Sequence, residues 1–170
     1  MKRIFVYLAV MMITGCLGMP ETVKPVKEFE LARYQGTWYE IARLDHSFEE
    51  GLEQVYAEYI PLEKEGVAVI NRGYDPLKKE WQQANGKAFF VGHADIAHLQ
   101  VSFFGPFYSS YVIFELDKQD YQYAFVSGPT LDYLWLLART PTVEQEVIDK
   151  FVAQSKQRGF DTEQLIFVKH

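Results

Sequence analysis

The sequence predicts an all-β domain: an eight-stranded antiparallel up-and-down β-barrel, with one C-terminal α-helix packed on it and a short final strand. Three observations carry this reading. From Tyr34 to Arg139, short stretches rich in Val, Ile, Phe and Tyr recur between turn signals. A helical period occurs only after Arg139. Eight antiparallel strands leave exposed edges that closure removes, and eight is the number at which a barrel interior is filled by side chains or holds one small ligand. On pattern alone an eight-stranded sandwich stays open.

The strands are read at 37–44, 54–61, 66–74, 80–91, 98–104, 110–117, 121–127 and 133–139. Their breaks carry turn chemistry: "EKEG" at 63–66, "YDPLKK" at 74–79, "FGPFYSS" at 104–110, "DKQD" at 117–120 and "SGPTLD" at 127–132. Pro141 and Thr142 then start a helix, with Gln145 three residues beyond Thr142 as in a capping box. Val143, Val147, Ile148, Phe151 and Val152 supply its apolar stripe, Gly159 stops it, and "LIFVKH" returns to strand.

The N-terminus belongs to a different argument. Lys2 and Arg3 precede the apolar run "IFVYLAVMMI", followed by Thr14 and Gly15; this reads as a signal peptide over residues 1–15, too short for a permanent span of ~20 residues. The only cysteine, Cys16, comes next. "ITGC" resembles the lipobox of bacterial lipoproteins, which implies cleavage before Cys16 and its acylation. Several acyl chains give lasting membrane attachment where one gives marginal binding. Leu17 stands where an inner-membrane retention aspartate would be, so the resemblance implies the outer membrane. Residues 16–28, with two prolines and mixed charges, read as a lipidated tether, and 29–170 as the folded domain.

Charge narrows the partners. The chain has 17 basic and 23 acidic residues, a net charge of -6; losing Lys2 and Arg3 leaves 15 against 23, or -8. An acidic body of this kind is a poor partner for nucleic acid or for an anionic surface.

Gly36-x-Trp38 at the first strand, the aromatic-rich hairpin from "SSYVIFELD" to "YQYAFVSG", and Arg139 in "LWLLARTP" resemble the three lipocalin signatures in order. With the lipobox, the resemblance is to bacterial outer-membrane lipocalins and covers nearly all of the mature chain. It implies that Trp38 and Arg139 meet at a closed barrel floor beside Gly36, where an indole under a guanidinium supplies a cation–π plug. "FELD", Phe114 to Asp117, replaces the usual Thr-Asp-Tyr core of the second signature, so no receptor-type contact is carried over there.

Strand alternation, with Trp38 and Arg139 inward, puts Glu40, Ala42, Leu137, Trp135 and Tyr133 inside. Similarity to the family extends the inner face to Ala57, Tyr59, Val69, Asn71, Ala88, Phe90, Leu99, Val101, Phe103, Ser110, Val112, Phe114, Tyr123, Phe125 and Ser127. From these, Ala42, Ala57, Tyr59, Asn71, Phe90, Val101, Phe103, Val112, Tyr123, Tyr133 and Trp135 are the expected ligand contacts. Small residues leave volume, and an apolar bore suits an acyl chain at about 0.8 kcal/mol per buried methylene. Glu40 and Asn71 meet either a polar ligand group or a structural hydrogen bond. The loop "LDHSFEEGLEQ", Leu44 to Gln54, is either a solvated connection or a lid whose Phe48 and Leu52 touch the ligand.

There is no G-x-S-x-G, phosphate-binding glycine loop or H-E-x-x-H, and His46, His93, His98 and His170 have no metal-ligand spacing. The expectation is therefore a non-enzymatic, cofactor-free, metal-free binding protein at the outer membrane, its domain facing the periplasm. Its ligand is a fatty acid or lysophospholipid, which it stores, transports or scavenges, and the resemblance allows a homodimer. The competing expectation is a non-catalytic envelope lipoprotein with a filled barrel.

Overall fold

The computed structural model describes residues 18–63 and 66–170, so Cys16 and the signal peptide lie outside the described residues. After a single helical turn, α1 (Leu31–Tyr34), come β1 (Gly36–Leu44), β2 (Glu53–Pro61), β3 (Val67–Asp75), β4 (Glu80–Phe90), β5 (His98–Phe104), β6 (Phe107–Leu116), β7 (Tyr123–Ser127) and β8 (Leu134–Ala138). Each strand pairs antiparallel with its neighbour, and β1 pairs with both β2 and β8, so the eight strands close into a barrel. Helix α2 (Gln145–Gln157) follows, then a 3-10 turn (Thr162–Gln164) and β9 (Leu165–Phe167), which adds to β1 outside the ring. The sandwich alternative is excluded by the β1–β2 closure.

Two separate cores result. The inner one includes Trp38, Tyr59, Val69, Leu99, Ile113, Ala124, Val126 and Leu137. The outer one lies between the barrel wall and α2, where Phe151 meets Phe125 edge-on at 5.0 Å among Ala42, Val112, Leu134 and Leu136. The helix starts at Gln145 with Glu144 as its cap residue and no side-chain capping bond. The expected Thr142–Gln145 capping box does not form, because Gln145 Nε2 donates along the helix to Asp149 Oδ1 instead. Gly159, with φ +91°, ends the helix in the left-handed region that glycine adopts without steric cost.

Four register shifts interrupt the described ladders, one of them in β2–β3 between Glu53 and Tyr56, and the other three bear on which expected contacts face inward. In β1, Glu40 pairs with Leu137 and Ala42 with Leu136, so Ile41 is an extra, bulged residue. A second shift in β5–β6, between Val101 and Phe104, sets Val101 opposite Ser109 and Leu99 opposite Tyr111. A third in β6–β7 lies between Ile113 and Glu115. The β1 bulge is covered by the C-terminal segment: Val168 N–H donates to the Ile41 carbonyl at 3.0 Å, and His170 Nε2 lies 2.8 Å from the Glu40 carbonyl. β1 and β2 pair only from Gly36 to Tyr39, and β9 takes over β1 from Ala42.

Residues 18–28, read from sequence as a spacer, pack on the barrel wall. Val23 is buried, and the Val26 N–H and C=O bond Ile113 and Ala97, so this stretch acts as part of the domain.

Candidate functional site: a floored apolar cavity

The barrel's closed end is built on one stack. Trp38 is fully buried, its Nε1 donates to the Tyr34 carbonyl at 2.7 Å, and the Arg139 guanidinium lies 4.0 Å from the indole centroid. Arg139 also donates to the carbonyls of Thr37, Arg33 and Tyr121, tying β1, α1 and the β6–β7 corner together. Gly36 sits against this guanidinium with φ +91°, a conformation that disfavours any side chain. Tyr34 stacks on Trp38 at 4.5 Å and carries the polar atoms of the next layer.

That layer is three phenols. The Tyr111 hydroxyl lies 2.8 Å from those of Tyr34 and Tyr59, so each has a partner without water. Burial raises all three above the ordinary tyrosine range, and they stay neutral. Phe29 and Phe90, 6.2 Å apart, fill the space toward the closed end beside them.

Above the phenols lies a cavity of about 320 Å³, open at the far end of the barrel. Ala57, Val67, Val69, Ala88, Leu99, Val101, Phe103 and Leu137 form apolar walls, while Phe48, Phe104, Phe107 and Tyr133 reach its mouth. The volume falls at the lower end of what small-molecule sites require. Polar groups interrupt the wall at Asn71, whose Oδ1 is buried without a protein partner, at Ser109 and Ser110, and in a cluster of charges on the β1 side.

The cluster exists because of the Ile41 bulge. In a regular strand residues three apart face opposite sides. Here Glu40 and Arg43 both turn inward, and Arg43 Nη1 donates to Glu40 Oε1 at 2.8 Å with both side chains buried. Arg43 Nη2 donates to the Glu49 carbonyl, fastening the β1–β2 loop. Glu49 Oε2 accepts from Trp135 Nε1 at 3.1 Å and lies 3.3 Å from His46 Nε2, although neither His46 ring nitrogen has a well-directed hydrogen bond.

Burial, reinforced by the Glu49 carboxylate, raises Glu40 well above the usual carboxylate range against the pull of Arg43. Burial also pushes Glu49 upward, but the His46 imidazole, the Trp135 N–H and Arg43 together hold it below that range. The environment therefore drives the two carboxyls apart, Glu40 toward its protonated form and Glu49 toward its ionised one, with Arg43 facing both. Chemically this is a buried wall of opposed polar groups, with Glu49 of the loop tied through its carboxylate to Trp135 and through its carbonyl to Arg43.

The structure brings Ala57, Tyr59, Asn71, Val101, Phe103, Tyr133 and Trp135 to the cavity. It places the other expected contacts elsewhere. Ala42 lies in the outer core because Ile41 shifts the alternation after Glu40. Val112 faces α2 because the β5–β6 shift sets Tyr111, not Val112, beside Leu99. Tyr123 accepts a hydrogen bond from Lys150 of α2 at 2.9 Å, since the register Ser127↔Leu134 gives Ala124 and Val126 the face of Leu137 and Trp135. Phe90 is packed against Phe29 beyond the cavity floor. Phe114 and Phe125 likewise belong to the outer core. Of the lid pair, Phe48 lines the cavity, whereas Leu52 packs over Gly73 outside it.

Sequence reasoning missed Tyr34, Tyr111, Arg43, His46 and Glu49 as site residues. The available signal was the Glu40-x-x-Arg43 spacing inside an otherwise apolar strand, which buries one charge unless a bulge turns both to the same side.

Comparison with known proteins agrees with this architecture. A family model described as a lipocalin-like domain matches residues 29–170. The chain is 60% identical over 169 residues to the outer membrane lipoprotein Blc of Vibrio cholerae, covering 99% of both. It is 49% identical over 150 residues to that of Escherichia coli, covering 88% of this chain and 84% of the relative. Insecticyanin of the tobacco hornworm Manduca sexta superposes with a TM-score of 0.72 at 21% identity, covering 90% of this chain and 87% of that one, which shows the fold alone. With the barrel, its Trp38–Arg139 floor and these relatives in agreement, the chain belongs to the lipocalin family.

Proposed function

We propose that this lipocalin lipoprotein is anchored at the outer membrane through lipidated Cys16 and binds a fatty acid or lysophospholipid, holding the acyl chain in its barrel. The observation that supports this most directly is the cavity itself: about 320 Å³, closed below by the phenol layer, apolar along its walls and open at one end. Each methylene buried there contributes about 0.8 kcal/mol without any directional contact, so chain length sets the affinity. Asn71 and the Glu40–Glu49 wall then meet the polar end of the chain. The name outer membrane lipoprotein carried by the V. cholerae and E. coli relatives agrees with the anchor.

A filled barrel is the reading this cavity opposes. Titrating delipidated protein with lysophospholipid is expected to change the fluorescence of Trp135, which lines the cavity. Unchanged emission at micromolar ligand, together with no lipid carried by the native protein in mass spectrometry, would favour the filled-barrel reading instead.

A further inference from the structure

We infer that the open rim of the barrel is a membrane-docking surface, so that the cavity mouth rests on the lipid layer that holds the anchor. The rim loops expose large apolar side chains: Leu77 on the β3–β4 turn at 93%, Phe104 and Phe107 flanking the β5–β6 turn at 71% and 66%, with Trp81, Phe48 and Leu131 beside them. Exposed aromatic and aliphatic groups gathered at one place mark a contact surface, whereas single ones are ordinary. Away from the rim, Ile60 of β2, Val91 just after β4 and Phe167 of β9 are exposed to 38%, 40% and 51%, so the most exposed apolar side chains, Leu77, Phe104 and Phe107, all belong to the rim. Phe48, Phe104 and Phe107 also line the cavity, so the exposed apolar surface is continuous with its interior.

What covers this surface follows from where the N-terminal segment leads. From Phe29, near the closed end, residues 28 to 18 run back along the outside of the wall toward the rim. Thr22 Oγ1 donates to the Arg158 carbonyl at 2.6 Å, at the C-terminal end of α2, and Met19 packs on the same outer core. That end of the helix adjoins the rim, since Leu131 of the β7–β8 connection lies 3.5 Å from the position of a Cβ on Gly159. Gly18 follows the acylated Cys16 by two residues, a span of at most roughly 7 Å. An anchor held this close to the rim brings the rim, not the closed floor, to the bilayer.

Charge sets how such a lipid surface is met. The acylated chain, with 15 basic against 23 acidic residues once Lys2 and Arg3 are removed, offers no general attraction to anionic headgroups, so contact must come from apolar groups at the interface. Leu77 is followed by Lys78, which pairs with Asp75 at 3.1 Å, and by Lys79, which gives the most exposed apolar side chain a cationic neighbour suited to headgroup phosphates.

This inference rests on the acyl anchor of the proposed function but not on the identity of the ligand. The full chain, with acylation verified by intact mass, is reconstituted in vesicles of phosphatidylethanolamine and phosphatidylglycerol. Phe107→Cys, Leu77→Cys and Gln119→Cys variants, the last on the closed-end β6–β7 turn, each carry an environment-sensitive fluorophore; acylation blocks Cys16. Docking predicts a blue shift, and quenching by lipids with a nitroxide near the headgroup, at positions 107 and 77 but not at 119. Leu77 lies outside the cavity, so its signal is separate from ligand filling. Equal emission at all three sites, or stronger quenching at 119, would overturn the inference. Quenching at 107 alone would assign the signal to cavity filling and overturn it equally. A chain lacking the acyl mass would instead count against the anchor.

Discussion

Ile41 occupies a place in β1 that has no partner in β8, and through it Arg43 turns to the same side as Glu40. Glu40 and Glu49 respond to pH in opposite senses. Glu40 has its folded value raised, so its contribution is fully present below the unfolded carboxylate value and is lost as pH rises through the folded one. Glu49 has its value lowered, so its contribution is present above the unfolded value and is lost as pH falls through the folded one. Urea unfolding of Glu40→Gln across the acid and neutral range is expected to flatten the decline toward higher pH, and Glu49→Gln to flatten the acid limb. Wild-type slopes in both variants would refute this division of charge. At the floor, Arg139→Lys keeps a charge but loses the planar stack on Trp38 and part of a three-carbonyl hydrogen-bond set. A loss of about 1–3 kcal/mol in unfolding free energy is expected, with cavity binding retained by whatever fraction stays folded.

At the level of elements, α2 seals the outer core. Phe151 is fully buried against Phe125, and Phe151→Ala should cost about 3–5 kcal/mol by denaturant unfolding while leaving affinity for an acyl ligand near wild type, because the cavity is on the other side of the wall. A large affinity loss in folded Phe151→Ala would mean that wall and cavity are coupled. The half-exposed Lys150–Glu115 pair on the same helix contributes far less, as exposed ion pairs do. Strand positions were legible in the sequence to within a few residues, since Val, Ile, Phe and Tyr stretches and Gly or Pro turns report directly on the extended state. The inward face was legible where an anchor residue shared its strand, as with Trp135 and Leu137 before Arg139. It was illegible beyond each register shift. One bulged residue reverses the parity of everything after it, which is why Ala42 lies in the outer core although Trp38 and Glu40 of the same strand face inward.

On the scale of the whole molecule, the barrel is floored at one end and left hollow above. Ala57 lines that hollow, so Ala57→Trp places a ring in existing space instead of in a packed core. The variant is expected to fold with a wild-type circular dichroism spectrum and to lose most lysophospholipid binding by titration calorimetry. Full binding in a folded variant would locate the ligand elsewhere. The sequence by itself determined the strand menu and the late helix, because these depend on local propensity and turn chemistry, and its resemblance to the lipocalin signatures supplied the Gly36, Trp38 and Arg139 floor. Only the tertiary structure decided that Tyr34, Tyr59 and Tyr111 share a hydroxyl network, that Glu40, Arg43 and Glu49 meet across a loop, and that the N-terminal segment runs back to the rim. Those features depend on registers and bulges set by closing the ring, a constraint on all eight strands together that no single stretch of sequence carries.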